Sequence, residues 1–273
     1  MKKERVDVLA HQQGLFETRE KAKRGIMAGI VYNQNNLRLD KPGEKIALTD
    51  SLHLKGKRLK YVSRGGLKLE KALESFDLSV KNKIVLDIGA STGGFTDVML
   101  QSGAKKSYAV DVGTNQLAWK LRQDARVIVM EQYNFRYAKT SDFTQGQPEF
   151  ASIDVSFISL ALILPALFTL LADNGKVVAL IKPQFEAGRE QVGKNGIIKD
   201  SKVHLSVLNQ TIETMLQVGF SVKGLSFSPI TGGGGNIEFL AYLQKEPEPQ
   251  LAAGINPEKV VAEAHQALLS LNA

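Results

Sequence analysis

The sequence predicts an α/β protein, built on a mostly parallel sheet with helices on both faces and preceded by a small α+β unit. Three observations carry this expectation. From residue 83 onward, short apolar runs alternate with helical patterns, the arrangement that builds parallel sheets. One of those runs, 84–88, ends in a small-residue turn that opens a helix at about Thr92. All the excess positive charge of the 273-residue chain lies in its first 60 residues.

The elements follow in order. Val6, Leu9 and Ala10 fall on one helical face, and a turn follows at Gly14. Thr18 can cap a second helix over 19–27. Short strands are expected at 30–33 and 37–39 around the polar turn 34–36; a second turn at 41–44 leads into the apolar segment 46–48. Residues 1–57 thus form one expected domain, 58–62 a linker and 63–273 a second domain. The second domain opens with Ser63-Arg64-Gly65-Gly66 and a helix over 67–76, whose apolar stripe is Leu69, Leu73 and Phe76 beside Ala72. Strands are expected at 84–88, 107–112, 127–130, 151–155, 176–181, 222–226 and 238–243. Helices are expected at 115–122, 160–172 and 201–218, with an amphipathic terminal helix over 257–271. The last strand follows its predecessor too closely for a crossover, so the two are expected to run antiparallel.

Composition narrows the function. The chain has no cysteine, which excludes disulfides, thiolate zinc sites and cysteine nucleophiles. His11, His53, His204 and His265 are scattered without metal-ligand spacing and read as surface or packing residues. The longest apolar run, 158–172, is interrupted by Ser159, Pro165 and Thr169 and is too short to span a bilayer. No apolar signal core follows the basic N-terminus, so a cytoplasmic protein without a membrane partner is expected. The net charge of +7 arises because residues 1–60 hold 14 Lys/Arg against 7 Asp/Glu, whereas the rest of the chain is balanced. Positive charge segregated in a small unit points to a polyanion partner, although charge runs often only solvate a surface.

Residues 84–97 read Ile-Val-Leu-Asp-Ile-Gly-Ala-Ser-Thr-Gly-Gly-Phe-Thr-Asp. Gly89, Gly93 and Gly94 let a ligand approach the backbone, and Asp87 can meet a ribose hydroxyl or an amino group. The dinucleotide fingerprint is broken by Ser91, and no Gly-Lys-Ser/Thr of a phosphate loop follows. An acid before Gly-x-x-x-Gly-Gly suits a nucleoside ligand without phosphates, and S-adenosylmethionine is the leading candidate. An ordinary strand–helix turn is the competing reading.

In an open α/β sheet the ligand lies beyond the carboxyl ends of the strands. The polar residues expected there are Asp87, Asp111, Asp154 and Lys182. A lysine closing a buried strand calls for a partner, and Asp154 on the next strand can supply one. Lys68, after Ser-Arg-Gly-Gly-Leu, and Glu238, after Asn236-Ile237, would each be unremarkable alone.

Together, Lys68, Asp154, Lys182 and Glu238 resemble the Lys-Asp-Lys-Glu tetrad of FtsJ-related RNA ribose 2′-O-methyltransferases. The flanking Ser-Arg-Gly-Gly-Leu-Lys-Leu, Ile-Asp-Val-Ser-Phe-Ile-Ser and Ile-Lys-Pro-Gln-Phe-Glu strengthen the likeness. The segments Gly-Ile-Val-Tyr-Asn and Lys-Pro-Gly-Glu-Lys-Ile resemble the small RNA-binding domain named after ribosomal protein S-four. Nearly the whole chain resembles the TlyA (hemolysin A) family, in which such a domain precedes an FtsJ-like one. The resemblance implies a Rossmann-like, S-adenosylmethionine-dependent methyltransferase acting on a cytidine 2′-hydroxyl of ribosomal RNA, with the ribosomal subunit as partner and no metal. It implies Lys182 as general base, positioned by Asp154, with Lys68 and Glu238 completing the site. Gly89, Ser91, Gly93 and Phe95 would line the methionine side of the cofactor, Asp111 would meet its ribose, and Asn134 would sit near its adenine. Arg5, Arg19, Lys21, Lys23 and Arg24, joined by Arg64, would face RNA phosphates, which give affinity rather than sequence readout.

Three alternatives are weighed against this. A non-catalytic RNA-binding or ribosome-assembly factor would not need the four charged residues intact. A membrane-active hemolysin would need a spanning segment or amphipathic barrel strands. A base methyltransferase would use a cysteine, or an Asn/Asp-Pro-Pro-Tyr motif where Ile153-Asp154-Val155-Ser156 stands.

Overall fold

The computed structural model describes residues 2–27, 29–55 and 60–269. The chain divides into two compact units, Met1–Lys60 and Tyr61–Ala273. Residues 58 and 59 of the expected linker lie outside the described residues, as do 270 and 271 of the expected terminal helix.

The first unit contains strand β1 (Lys3–Arg5), helices α1 (Val6–Gln12) and α2 (Arg19–Met27), and strands β2 (Val31–Asn33), β3 (Lys45–Ala47) and β4 (Leu52–Leu54). β1 pairs antiparallel with β3, and β2 pairs antiparallel with β4. Val6, Leu9 and Ala10 of α1 pack with Ala22 and Ile26 of α2 and with Val31, Leu39 and Leu52 to form its core. The expected strand at 37–39 is reduced to a single bridge between Tyr32 and Arg38. The Asn33 side chain accepts the N–H groups of Asn35 and Leu37, which spends the backbone donors on a turn.

The second unit begins with α3 (Gly66–Ser75) and continues through β5 (Ile84–Ile88), α4 (Gly94–Gln101), β6 (Lys106–Val110), α5 (Trp119–Arg122), β7 (Val127–Met130), β8 (Phe150–Ile153), α6 (Leu164–Leu170), β9 (Lys176–Ile181), α7 (Pro183–Glu186), α8 (Ser201–Val218), β10 (Phe220–Phe227), β11 (Phe239–Lys245) and α9 (Pro257–Leu269). Its seven strands form one sheet in the order β10-β11-β9-β8-β5-β6-β7. The β7–β6–β5–β8–β9 pairs are parallel, whereas β11 runs antiparallel to both β9 and β10. Both sheet faces are covered, so the strands read as continuous apolar runs. Val177, Ala179 and Ile181 join the core under α6, α8 and α9, while Val178 and Leu180 meet the core of α3 and α4 on the other face. Among the described residues no helix is long and apolar enough to cross a membrane.

Two expected helices are shorter than their periodicity suggests. Over 115–122 only Trp119–Arg122 is helical. The Glu131 carboxylate accepts the N–H groups of Asn115, Gln116 and Leu117 and holds them as a loop. Over 160–172, α6 is limited to Leu164–Leu170. A short 3₁₀ turn, Leu160–Leu162, precedes it, with Glu186 receiving the Leu160 N–H.

α8 and α9 meet through a histidine pair. His204 is fully buried, its Nδ1 lies 2.9 Å from Nε2 of His265, and its ring stands edge-on to Phe239. Burial, reinforced by the neighbouring His265, pushes the His204 imidazole down to about 4. The unfolded chain takes up a proton near pH 6.5 that the folded chain refuses until about pH 4, so this group's stabilising contribution is lost on acidification through that window. His204→Leu removes the linkage. The unfolding free energy of the variant, measured against the wild type in urea, is expected to improve by up to about 1.4 kcal/mol per pH unit between about pH 6.5 and 4. A difference that is constant with pH would remove His204 from this account.

Candidate active site

The chain runs from β5 outward through β6 and β7, then returns to place β8 on the other side of β5. Ligands of open α/β sheets bind beyond the carboxyl ends of the strands at such a switch point. A crevice opens there as two adjoining cavities of about 520 and 420 Å³, which share Gly89, Ser91, Asp154, Ser156 and Phe157.

The turn after β5 is shaped by backbone constraints. Gly89 has φ +85°, and a Cβ there would lie 2.4 Å from the Asp154 carbonyl oxygen. Gly93 has φ +90° and caps α4; a Cβ there would meet Leu121 at 2.3 Å. Ser91 between them also takes a positive φ, 47°, an uncommon conformation for a residue with a side chain.

The sequence-predicted cofactor residues play different structural parts. Asp87 is fully buried. Its carboxylate accepts the Thr96 N–H at 2.8 Å, the Thr96 hydroxyl at 2.7 Å and the Ser152 hydroxyl at 3.2 Å. Burial pushes this carboxyl up to about 7 against those hydrogen bonds. Asp87 thus ties the turn to α4 and β8, and it also lines the first cavity. Asp111, just past β6, accepts the N–H groups of Ser91 at 2.8 Å and Gly113 at 2.7 Å, and lines the second cavity. Asn134 lines the same cavity and caps the short 3₁₀ turn Phe135–Tyr137 by accepting the Arg136 N–H. Phe95 touches the first cavity but packs mainly into the core under α3 and α4.

Lys68, Asp154, Lys182 and Glu238 converge on the wall of the first cavity. They come from α3, the end of β8, the end of β9 and the approach to β11. Lys182 Nζ donates to Asp154 Oδ1 at 2.6 Å and to the Ser156 hydroxyl at 3.1 Å. Lys68 Nζ lies 3.7 Å from Asp154 Oδ2 and donates to Glu238 Oε2 at 2.6 Å. The charges alternate along this chain, which offsets the desolvation of two lysines that are each 9% exposed. Among the described residues no group of His, Asp and Glu has the arrangement of a metal site.

Sequence reasoning missed Ser156 and Phe157, which sit inside the quoted Asp-Val-Ser-Phe segment. Phe157 has φ +63°, is 91% exposed and packs against Phe185 with ring centroids 5.0 Å apart. Its position just past a strand end was the only signal available. Arg64 is exposed in the turn before α3, between Ser63 and Gly65, which line the crevice.

The expected RNA-facing residues of the first unit are largely engaged nearby. Arg5 and Arg19 bind Asp7, Lys21 pairs with Glu17 and Lys23 with Glu20. Arg24 is exposed and shows no ion pair among the described residues.

The crevice fits S-adenosylmethionine. Gly89 and Gly94 line the first cavity with backbone alone, and Asp111, its carboxylate fixed by the Ser91 N–H, lines the second.

Comparison with known proteins agrees with this geometry. A Bacillus subtilis (strain 168) protein named "Putative rRNA methyltransferase YqxC" is 64% identical over 270 residues, covering 98% of this chain and 96% of its own. The 16S/23S rRNA (cytidine-2'-O)-methyltransferase TlyA of Mycobacterium tuberculosis (strain ATCC 25618 / H37Rv) is 38% identical over 250 residues, covering 91% and 92%. A solved structure titled "Putative hemolysin from Streptococcus thermophilus" shares 66% identity and a TM-score of 0.80, covering 100% of this chain and 99% of its own. Residues 61–245 match the family described as FtsJ-like methyltransferase, and the chain belongs to that family.

Proposed function

We propose that this chain methylates the 2′-hydroxyl of a cytidine in ribosomal RNA, using S-adenosylmethionine and taking a ribosomal subunit as substrate in the cytoplasm. The observation that carries the reading is the alternating chain of Lys182, Asp154, Lys68 and Glu238 on the crevice wall. The Mycobacterium tuberculosis relative is named for cytidine 2′-O-methylation of 16S and 23S rRNA.

S-adenosylmethionine, when bound, supplies a methyl carbon already activated by its sulfonium. Alignment and deprotonation remain for the protein. The Gly89–Gly93 turn would hold the methionine portion, Asp111 the ribose and Asn134 the adenine end. Lys182 is the proton acceptor in its neutral amine form, reached once its ammonium has released a proton to solvent: its two N–H groups then point to Asp154 and Ser156 and its lone pair takes the hydroxyl proton. Its tetrahedral nitrogen has two directions taken by Asp154 and Ser156, which leaves one for the ribose hydroxyl. Lys68 spans Asp154 and Glu238 and keeps the Asp154 carboxylate turned toward Lys182. The exposed Phe157 ring offers a stacking face to a base drawn out of its helix, an interaction worth about 1–3 kcal/mol per base. The absence of cysteine fits ribose rather than pyrimidine C5 chemistry.

Residues 1–57 serve as an S-four-type RNA-binding domain, 58–62 as the linker and 63–273 as the methyltransferase domain. Arg5, Arg19, Lys21, Lys23, Arg24 and Arg64 would contact phosphates.

Lys182→Ala is expected to lower methyl transfer by a factor of about 10² or more while leaving cofactor affinity within about twofold. Label transfer from S-adenosylmethionine into ribosomal subunits, set beside calorimetric titration of the cofactor, checks both. Activity near wild type would sink the base assignment, and cofactor binding by the wild type without label in RNA would sink the enzyme reading. Arg19→Ala with Lys23→Ala is expected to weaken subunit binding and to make the slope of log K against log salt shallower by about 1.5. Binding isotherms at several salt concentrations measure this.

A further inference from the structure

A carboxylate with no part in the crevice is buried in the first unit. Asp7, in the first turn of α1, has a side chain that is 0% exposed. Its Oδ1 accepts from Arg5 Nε at 2.9 Å. Its Oδ2 accepts from Arg5 Nη2 at 3.1 Å and from Arg19 Nε at 3.0 Å. The backbone beneath is fixed as well, since the Val6 and Asp7 N–H groups donate to the carbonyls of Glu44 and Pro42 at 2.9 and 3.1 Å. Burial alone would raise the Asp7 carboxyl, but the two guanidinium groups outweigh it and hold it below the usual carboxylate range.

One anchored anion thus grips two cations that arrive from β1 and from the start of α2. Arg5 spends its Nε–Nη2 edge on Asp7, and Arg19 spends Nε alone. Among the described residues, the Nη1 of Arg5 and both terminal nitrogens of Arg19 have no acceptor, on side chains that are 39% and 50% exposed. The trio keeps one net positive charge. Guanidinium forks match phosphate geometry, and a fork immobilised beforehand loses less freedom when it binds.

We propose that Asp7 is a positioning residue for RNA: it presets the Arg5 and Arg19 forks so that their free N–H edges take backbone phosphate oxygens. This rests on the reading that the first unit binds ribosomal RNA. It separates from simple electrostatics by sign. Asp7→Asn removes a negative charge from a polyanion-binding face, so charge alone makes the variant bind more tightly. Positioning makes it bind more weakly.

The test uses the full chain with purified ribosomal subunits and compares the wild type, Asp7→Asn, Arg5→Lys with Arg19→Lys, and Arg19→Ala with Lys23→Ala. Asp7→Asn is expected to raise the dissociation constant about tenfold, as expected for re-freeing two long side chains, with the loss appearing in KM for subunits rather than in kcat. The double lysine variant keeps both charges and loses the forks, and it is expected to weaken binding likewise. Amide protection in α1 and α2 verifies that the unit is folded; if Asp7→Asn unfolds it, the double lysine variant decides alone. Unchanged or tighter binding by folded Asp7→Asn, or wild-type binding by the double lysine variant, overturns the proposal. If Arg19→Ala with Lys23→Ala binds as the wild type does, the RNA reading of the unit fails and the proposal falls with it. If only that variant weakens, the RNA reading stands and the role of Asp7 does not.

Discussion

Two lysines and two carboxylates taken out of water must hold one another or the fold cannot keep them. Lys182, Asp154, Lys68 and Glu238 meet that constraint by alternating in sign, with contacts of 2.6, 3.7 and 2.6 Å along the chain. Removing one partner from such a buried group costs about 3–5 kcal/mol, because the remaining charge is stranded. The architecture is arranged around this need. Asp154 and Lys182 leave the carboxyl ends of parallel neighbours. Glu238 reaches the same edge only because β11 runs the other way, with its first residue, Phe239, paired to Ile181 at the end of β9. A parallel strand in that place would carry the residue before it to the opposite edge of the sheet. The reversed strand is thus what completes the site.

The central strands were legible because burial on both faces leaves a plain apolar signature, as at 84–88, 127–130 and 176–181, where the expected and observed bounds coincide. What stayed hidden was set by single side chains that capture backbone N–H groups. Glu131 unwinds the helical pattern at 115–117, and Asn33 turns the segment after β2 away from a strand. β1 and β4 are three residues each, too short for alternation to register. At the site, the positions of Asp154 and Lys182 followed from strand ends, whereas Lys68 and Glu238 were legible only through motifs. Asp87 shows a second part that strand-end reasoning does not reveal. An acid at a strand end reads as a ligand group; this one lines the first cavity and also braces the turn through hydrogen bonds with Thr96 and Ser152.

Charge counting carried the first unit less far than the counts suggest. Asp7, Glu17 and Glu20 hold four of the cations expected to face RNA. The surface pairs are weak and yield readily to a phosphate. The Asp7 group is of another kind, since its carboxylate is buried and its arginines arrive from different elements. Net positive charge brings a polyanion near; the arrangement of forks decides what it meets there.

The close approach of Gly89 to the Asp154 carbonyl has a metrical consequence. Between the Gly89 turn and the end of β8 there is less room than one methyl group occupies. The spacing between the turn and the Asp154 backbone is therefore set by peptide geometry, which is stiff, rather than by side-chain rotamers, which are not. A Cβ at Gly89 would push the end of β8 away from the turn, and with it the carboxylate that holds Lys182.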